Sequence, residues 1–393
     1  MDPNVTDTID GLGDPLAFRS RPGRGRSPLF SSGRDVIKVE ARQLEGHQKE
    51  AVVTEGAEGS AWRLSSDEGK HLRGTDLAPF PLGFFNAGMQ SDLYGRVRTL
   101  AAARGIEFEA VEIRVANHYW LTGSFIHGTG EGHADAPDID VRVTSGASTE
   151  VIRALVAAAM DASPAIAFLR SSMSGNTFAL YINGRRREVE GVANSASDDA
   201  GDPYRTYTQA PRPEDANARR DLIVKTGQVE QGTSEPAPAT VTNKLIRNIF
   251  GEGKSAGADG MYETDTWLGT PGTSHFKLVS DESGNATAPC GLALLSAGIA
   301  FCYMTQLSRY IENMKMNIHG VRLVQFNPYV AGSTAAAEPI DTHLFLNGEA
   351  ADETHLQLLT IAARTCYLHA AAKTPNEPNL RIVHNGQDIA RAA

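Results

Sequence analysis

Two long apolar stretches of this chain align with each other without a gap, and this repeat restricts the possible folds more than any other feature. Residues 78–97 align with residues 288–307 at a constant offset of 210 residues. The second stretch continues to residue 310 and is apolar on nearly every face, a pattern typical of a helix buried on all sides. The identical positions are Ala78, Pro79, Leu82, Ala87 and Gly88, which match Ala288, Pro289, Leu292, Ala297 and Gly298. The repeat therefore indicates that the chain contains two copies of one structural unit.

The segments around these helices also repeat. The strand predicted at residues 321–326 matches the one at 111–115, and the helix predicted at 353–372 matches the one at 150–169. Each copy thus has strands, a long buried helix, more strands, a second helix and a closing strand or hairpin. A duplicated pair usually packs about a pseudo-twofold axis, as a symmetric homodimer does. The predicted class is α+β, with each long helix on a mostly antiparallel sheet and the two units forming a pseudo-dimer.

Changes in composition give the domain boundaries. Residues 1–33 are polar and rich in Pro, Gly and Arg, which predicts a disordered leader. The first unit then covers residues 34–194, a polar linker covers 195–219, and the second unit covers 220–393. Residues 240–273 have no match in the first copy and are predicted to be an insertion with a short helix and a Gly-rich tail.

Charge and cysteine content exclude several classes of function. The net charge is −10 and no basic patch follows the N-terminal region, which argues against nucleic-acid binding. Interrupted apolar runs predict no membrane span, and the N-terminus lacks the apolar core of a signal peptide. Three cysteines do not make a disulfide scaffold. We expect a cytoplasmic protein with reduced thiols, a small-molecule partner, no cofactor and no metal.

Cys302 is the first candidate for chemistry. A nucleophilic cysteine must be a thiolate, and burial in an apolar helix disfavours that charge, so a nearby cation is needed. Candidate cations are Arg309, two helical turns further on, and Arg34 and Arg220, each of which is followed by an aspartate. The simpler alternative is that Cys302 packs as a small hydrophobic residue.

Cys366 is the second candidate. His369 follows it at i+3, a spacing that allows contact on one helix face. Such a pair can be a resolving thiol with its base, or a nucleophile in acyl or sulfur transfer, or two residues that merely share a face. A disulfide between Cys302 and Cys366 requires their helices to cross at those positions. Cys290, at the start of the buried helix, is a third candidate thiol.

The first copy has no cysteine, and Asp92 occupies the position of Cys302. We therefore expect this copy to supply structure and pocket walls, including Trp120. The loop at residues 118–135 carries three histidines and Asp135, but loop histidines without a regular scaffold are weak evidence for a metal. The predicted substrate pocket consists of Leu292, Leu295, Phe84, Phe85, Asp92 and Arg309.

The two cysteines also carry a family resemblance. A proline-started apolar helix that reaches Cys302 is followed by Cys366 after 64 residues. This pattern resembles the OsmC/Ohr family, the osmotically inducible and organic-hydroperoxide-resistance proteins. The resemblance covers roughly residues 34–190 and 220–390, and Ser163 lies where the first copy would carry the second cysteine.

The resemblance implies a thiol peroxidase that acts on organic hydroperoxides and is reduced by an external thiol. It implies an intertwined pair of units with the site at their interface, Cys302 as the attacking thiolate and Cys366 as the resolving thiol. Arg220 and Arg34 are the positions that match the family's activating arginine. The chain departs from the family at Leu292, where a glutamate is usual, and after Cys366, where a proline is usual.

Two other functions stay open. The missing glutamate and the insertion are also consistent with a site remodelled for carbon–sulfur or acyl chemistry on a dedicated small molecule. A non-catalytic pseudo-dimer that binds an apolar ligand is the other alternative. Pairing of the pseudo-dimer into a further homodimer is also possible in each case.

Overall fold

The computed structural model describes residues 7–23, 33–173, 175–215, 219–230, 245–256 and 260–389. Within these ranges the chain forms two nine-stranded sheets and eight α-helices. The α+β class predicted from the sequence is therefore confirmed.

The first sheet combines strands from both halves of the chain. Its order is β1 (Ala17–Arg21), β4 (Ala61–Ser66), β3 (Lys49–Glu55), β2 (Gly33–Gln43), β14 (Ile318–Ala331), β16 (Asp341–Gly348), β8 (Thr177–Ile182) and β9 (Arg185–Arg187), with β15 (Ala336–Ala337) beside β14. The strands are antiparallel except for β16 and β8, which are parallel. The long β2–β14 pairing joins the two halves of the chain.

The second sheet repeats this order with the halves exchanged. It runs β10 (Ile223–Gln228), β13 (Ser274–Asp281), β12 (Met261–Leu268), β11 (Leu245–Ser255), β5 (Ala110–Thr122), β7 (Asp138–Thr144), β17 (Asn379–His384) and β18 (Gln387–Asp388), with β6 (Glu131–Ala134) beside β5. Here β11 pairs with β5, and β7 is parallel to β17. Each strand of one sheet thus has a counterpart in the other, β2 with β11 and β3 with β12 among them.

The helices repeat in the same way. They are α1 (Ile9–Leu12), α2 (Pro81–Ala103), α3 (Thr149–Ala162), α4 (Pro164–Arg170), α5 (Tyr204–Tyr207), α6 (Gly291–Asn313), α7 (Asp352–Thr365) and α8 (Tyr367–Lys373). The two long helices, α2 and α6, have 23 residues each and are related by the offset of 210 found in the sequence. They pack on each other, α2 against the second sheet and α6 against the first.

Two glycines allow α2 and α6 to touch through their backbones. A Cβ atom on Gly88 would lie 2.4 Å from the backbone nitrogen of Leu295. A Cβ atom on Gly298, the matching glycine of α6, would lie 2.7 Å from the backbone nitrogen of Phe85. Because real side chains do not approach so closely, these positions require glycine for this helix crossing.

Helix α6 is long and apolar enough to span a membrane, which the sequence prediction had not found. Its most apolar 18-residue window is, however, 100% buried inside the protein. A core helix of a soluble protein passes the same test, so this helix is weak evidence for a membrane span. The second helical run that passes, α3 with α4, is bent by 71° at its break.

The predicted disordered leader was wrong for residues 7–23. These residues form α1 and β1, and β1 pairs with β4. The reason is the short apolar run that contains Phe18, whose side chain is fully buried. Residues 1–6 and 24–32 lie outside the described ranges.

The predicted insertion was also wrong wherever the structure describes it. The short helix was predicted within this segment. Residues 243–244 lie outside the described ranges, and from Leu245 onward the chain forms the strand β11. The hairpin of β11 and β12 is the counterpart of β2 and β3, so it is a repeated element. Its strand form follows from pairing on both sides, with β5 and with β12, which overrides the local helical pattern.

The segment predicted as a linker lies across the outer face of the first sheet. Asp199 accepts a hydrogen bond from the hydroxyl of Tyr181 at 2.9 Å. Further along, Tyr207 is buried and its hydroxyl donates to the backbone oxygen of Glu40 at 2.7 Å. The described part of the segment is therefore fixed to β8 and β2.

Candidate active site

The structure brings Cys302 and Cys366 together. Their Sγ atoms lie 3.3 Å apart, within hydrogen-bond distance for sulfur, and both thiols are reduced. Cys302 is on α6, and Cys366 is the single extended residue between α7 and α8. Both side chains are buried, with exposures of 3% and 0%. The break between α7 and α8 thus aims one thiol at the other.

The same place in the first half holds a polar pair. The hydroxyl of Ser163, between α3 and α4, donates to Oδ2 of Asp92 at 2.6 Å. The backbone N–H of Ala165 donates to the same oxygen at 3.2 Å, and Arg96 pairs with the other oxygen at 3.0 Å. Asp92, predicted as a pocket residue, is therefore the acceptor at the centre of a hydrogen-bonded cluster.

A small cavity lies beside Cys302 and is built from both halves. Its volume is about 30 Å³, room for no more than a few water molecules. Polar and apolar side chains line it: Glu68, His71, Leu72, Phe80, Pro81, Leu82, Arg247, Ile249, Leu268, Cys302, Thr305, Gln306, Arg309 and Tyr367. Cys302 is the one thiol among these lining residues.

A buried ion pair from the first half lies next to this cavity. Nζ of Lys49 lies 3.9 Å from Oε1 of Glu68 and donates to the backbone oxygen of His47 at 2.6 Å. Thr305, one turn beyond Cys302 on α6, donates to the same Glu68 oxygen at 2.6 Å. Burial raises the pKa of Glu68 and lowers the pKa of Lys49. Each group therefore depends on the other to stay charged.

Sequence reasoning missed both of these residues, although one signal was available. The segment ending in Asp67 and Glu68 is repeated at Asp281 and Glu282. A repeated acidic pair just before each long helix marks a position that the fold uses twice. Glu68 brings a carboxyl group from the first half of the chain to the cavity beside Cys302.

Two arginines line the cavity. The guanidinium of Arg309 lies 3.9 Å from the ring centroid of Phe125 and donates to Oε1 of Gln306 at 3.1 Å. Burial lowers the pKa of Arg309. Arg247, on β11, was not predicted, and its Nη1 donates to the backbone oxygen of Ile246 at 3.1 Å.

The structure does not place Arg34 or Arg220 at the cavity. Arg34 is 56% exposed on β2 and pairs with Glu338 at 2.5 Å. Arg220 is exposed just before β10. The sequence matched Arg220, before β10, with Arg34 on β2. This match is wrong because β10 is the counterpart of β1. The counterpart of β2 is β11, which carries Arg247.

Four predicted pocket residues lie in the helix core and do not line the cavity. The rings of Phe84 and Phe301 are 5.4 Å apart, and those of Phe85 and Phe168 are 5.5 Å apart. Leu292 and Leu295 are buried. The apolar walls come instead from the start of α2 and from β11 and β12, because the intertwined sheets bring these elements over Cys302.

The two thiols titrate as one unit because they share a hydrogen bond. Burial raises the pKa of Cys302, and the bond with Cys366 acts in the same direction. Burial acts likewise on Cys366, but the hydrogen bond from Cys302 and the electrostatic effect of His369 lower its pKa. The backbone N–H of Leu368 favours charge on Cys302. These opposite directions favour the negative charge of the resting pair on Cys366 and a proton on Cys302.

His369 is buried beside Cys366. Its ring lies 4.9 Å from that of Tyr303 and 5.8 Å from that of Phe178. Among the described residues, neither of its ring nitrogens has a hydrogen-bond partner of normal geometry. Its proximity lowers the pKa of Cys366 and so favours charge on that thiol.

Cys290 stands apart from this pair. It precedes α6, and its backbone N–H donates to Oε1 of Glu55 at 2.7 Å. Burial raises the pKa of the Cys290 thiol, and the neighbouring carboxyls of Glu55 and Glu282 act in the same direction. This thiol is poorly suited to nucleophilic chemistry.

The histidines of the loop at residues 118–135 have separate partners. His118 contacts Asn248 at 3.0 Å, and the ring of His133 stacks on Trp120 at 3.7 Å. His127 is exposed. In the described part of the chain, no three His, Cys, Asp or Glu side chains are grouped to hold a metal ion.

Comparisons with known proteins add little to this geometry. No family model matches the chain, and no curated protein matches it. Among solved structures, one match is an OsmC-like hydroperoxide resistance protein from Jannaschia sp. CCS1. It is 23% identical, the alignment covers 36% of this chain and 97% of that one, and the TM-score is 0.23. A TM-score this low carries no argument, so the function must be argued from the site itself.

Proposed function

We propose that the protein is a thiol peroxidase that reduces organic hydroperoxides, built from two fused OsmC/Ohr-like units that pack as a pseudo-dimer. The observation that carries this proposal is the 3.3 Å distance between the buried sulfurs of Cys302 and Cys366. The repeated strand order of the two sheets supports the fused pair of units.

The reaction begins at Cys302, the thiol that faces the cavity. Cys302 passes its proton to the Cys366 thiolate, 3.3 Å away, and its own thiolate attacks the outer oxygen of the hydroperoxide. The O–O bond breaks, and the alkoxide leaves as an alcohol after taking a proton from water. Cys302 is now a sulfenic acid. The Cys366 thiolate attacks this sulfur, releasing water and forming the Cys302–Cys366 disulfide. An external dithiol then reduces the disulfide and returns both thiols.

The contacts around the pair match these steps. The sulfurs need to approach from 3.3 Å to only about 2.05 Å to form a disulfide, so α6 and α8 can stay in place. Loss of the Cys366 proton can be assisted by the imidazole of His369. The guanidiniums of Arg247 and Arg309 line the cavity where charge develops on the leaving oxygen.

The apolar walls of the cavity favour an organic substrate over hydrogen peroxide. Phe80, Leu82, Ile249 and Leu268 cover the approach to Cys302. Alkyl groups gain from burial against such walls, whereas hydrogen peroxide has no apolar group to bury.

The missing glutamate and the predicted insertion had favoured a remodelled enzyme, and both arguments are now weaker. The described part of residues 240–273 is a repeated hairpin, and Glu68 supplies a carboxyl near Cys302. Other cysteine chemistry and simple ligand binding remain the outcomes against which the peroxidase proposal is tested.

Consumption of cumene hydroperoxide with a dithiol reductant tests the proposal. Wild type is compared with Cys302→Ser and Cys366→Ser, and Cys290→Ser is the matched control because that buried thiol lies away from the pair. We expect no turnover for Cys302→Ser and wild-type turnover for Cys290→Ser. In Cys366→Ser assayed without the dithiol, one equivalent of peroxide should be consumed and a trapped sulfenic acid should be found by mass spectrometry. Equal rates for wild type and Cys302→Ser would overturn the proposal.

A further inference from the structure

A second, outer cleft lies directly against the Cys302 cavity. It has a volume of about 150 Å³ and is more open. Its lining residues are His47, His71, Leu72, Arg73, Arg309, Glu312 and Asn313. Three of these, His71, Leu72 and Arg309, also line the cavity that contains Cys302. These three residues, called the partition below, form a common wall of the outer cleft and the Cys302 cavity.

The partition includes a 3-10 turn, Lys70–Leu72, in the loop between β4 and α2. This loop is longer than its counterpart in the other half. The repeated acidic residue and the repeated alanine before the long helix are ten positions apart at Glu68 and Ala78, but six apart at Glu282 and Ala288. The four additional residues allow the turn to project His71 and Leu72 over the cavity.

The base of this loop is firmly held. Oδ2 of Asp67 accepts hydrogen bonds from the backbone N–H of Thr75 at 3.0 Å and of Leu77 at 3.1 Å. The backbone N–H of Asp76 donates to the backbone oxygen of Glu68 at 3.0 Å. The hydrogen bonds between these residues close the loop at its neck, so its tip can move as a unit.

The tip is held more weakly. Nη1 of Arg73 lies 2.9 Å from Oε1 of Glu312 on α6, and these side chains are 76% and 48% exposed. An ion pair this exposed contributes at most about 1 kcal/mol, since water and salt screen it. The contrast between neck and tip makes the turn the weakest part of the wall over Cys302.

We propose that the outer cleft is the access site for small molecules that react at Cys302, and that residues 70–73 are its gate. In the present conformation the inner cavity, at about 30 Å³, is too small for an organic molecule, so such a molecule reaches the sulfur when the turn moves aside. Displacement of His71 and Leu72 merges the cleft and the cavity into one channel. The Arg73–Glu312 pair is the latch of this gate.

The chemistry of the cleft indicates which molecules it admits. The cations Arg73 and Arg309 line the cleft, and burial lowers the pKa of His71 to about 4, which leaves its ring neutral near pH 7. The inner wall is apolar. The channel therefore suits an organic molecule with an apolar body and a polar or anionic end.

Alkylation kinetics test the gate without any assumption about peroxidase activity. All variants carry Cys290→Ser, so labelling reports only the thiol pair. The second-order rate of Cys302 modification is measured by mass spectrometry with iodoacetamide, a small probe, and fluorescein maleimide, a bulky one. Arg73→Ala breaks the latch, and Leu72→Ala thins the partition. Arg381→Ala breaks an exposed ion pair with Asp388 elsewhere and is the matched control.

We expect Arg73→Ala to increase both rates by up to about fivefold, the factor that corresponds to 1 kcal/mol. Leu72→Ala should increase the rate with the bulky probe more than the rate with the small one. Arg381→Ala should leave both rates unchanged. Wild-type rates in both gate variants, or equal acceleration in the control, would overturn the proposal. Because the readout is access to sulfur, a gate can be shown even if the protein consumes no peroxide.

Discussion

Ser163 donates its hydroxyl to Oδ2 of Asp92 across 2.6 Å, in the place where Cys366 and Cys302 meet in the other half. The first half therefore keeps the geometry of the site with a carboxyl group in place of a thiol. The N–H of Ala165 donates to that carboxyl group as the N–H of Leu368 does to Cys302.

The first prediction concerns Asp92. Asp92→Ala leaves the largely buried guanidinium of Arg96 without the carboxylate it pairs with at 3.0 Å. Loss of one partner of a buried pair should lower the free energy of unfolding by about 3–5 kcal/mol, measured by urea denaturation. Asp161→Ala, in an exposed pair with Arg170, is the control and should change it little. Similar effects of the two substitutions would contradict a buried, structural Asp92.

The second prediction concerns the helix crossing. Gly88→Ala places a methyl group 2.4 Å from the backbone of α6, so α2 and α6 must separate. We expect unfolding at clearly lower urea concentration, with a loss of roughly 1–3 kcal/mol or more, as for other overpacked cores. Gly146→Ala is the control, because a Cβ there meets nothing within 4 Å. If both variants unfold alike, the two helices do not touch as described.

The fold class could be predicted from the repeat, because the buried helices are visible in the offset of 210. The meeting of the two thiols was expected from the family resemblance, since the residues alone left other arrangements open. Arg220 was matched with Arg34 because each is followed by an aspartate, and this match took no account of the order of the strands. The counterpart of β2 became clear only when β11 was seen to pair with β5.

The charged surroundings of Cys302 could not be predicted in the same way. Lys49 and Glu68 are more than 200 residues from Cys302 in the chain, and they reach it only because the two halves exchange strands between sheets. A pattern within one copy cannot show contacts of this kind. A search of the opposite copy for charges near each long helix would have found Glu68.

The third prediction concerns Glu55, which accepts a hydrogen bond from the N-terminus of α6. Burial raises its pKa from 4.5 to about 7, although the hydrogen bond from Cys290 opposes this. Between these two values the folded state binds more protons than the unfolded state, so this group's contribution to stability falls as pH rises through that window.

Glu55→Gln keeps the acceptor oxygen and removes the titration. Relative to wild type, we expect the variant to gain stability as pH rises from 4.5 toward 7, by roughly 3 kcal/mol at most. Urea denaturation across pH 4 to about 8.5 measures the difference. A difference that does not change with pH would show that Glu55 titrates alike in the folded and unfolded states.

The fourth prediction concerns Lys49, the fully buried cation next to Glu68. Lys49→Met removes its positive charge, leaves Glu68 uncompensated, and should raise the apparent pKa of the thiol pair by about one unit or more. Thiolate absorbance measured against pH reports this value directly. Lys277→Met, in a pair with Glu263 on the second sheet, is the control and should not move it.

A purely structural role for Lys49 is separated by a double variant. Lys49→Met with Glu68→Gln removes both charges, so the net charge that this pair places near the sulfurs is again zero. The apparent pKa of the thiol pair should therefore return toward the wild-type value. Stability should recover as well, because no unpaired charge stays buried. If the single variant loses stability while the thiol titration stays in place, Lys49 does not act on Cys302. If the titration moves and the double variant restores it, the buried pair sets the charge of the thiols from the opposite half of the chain.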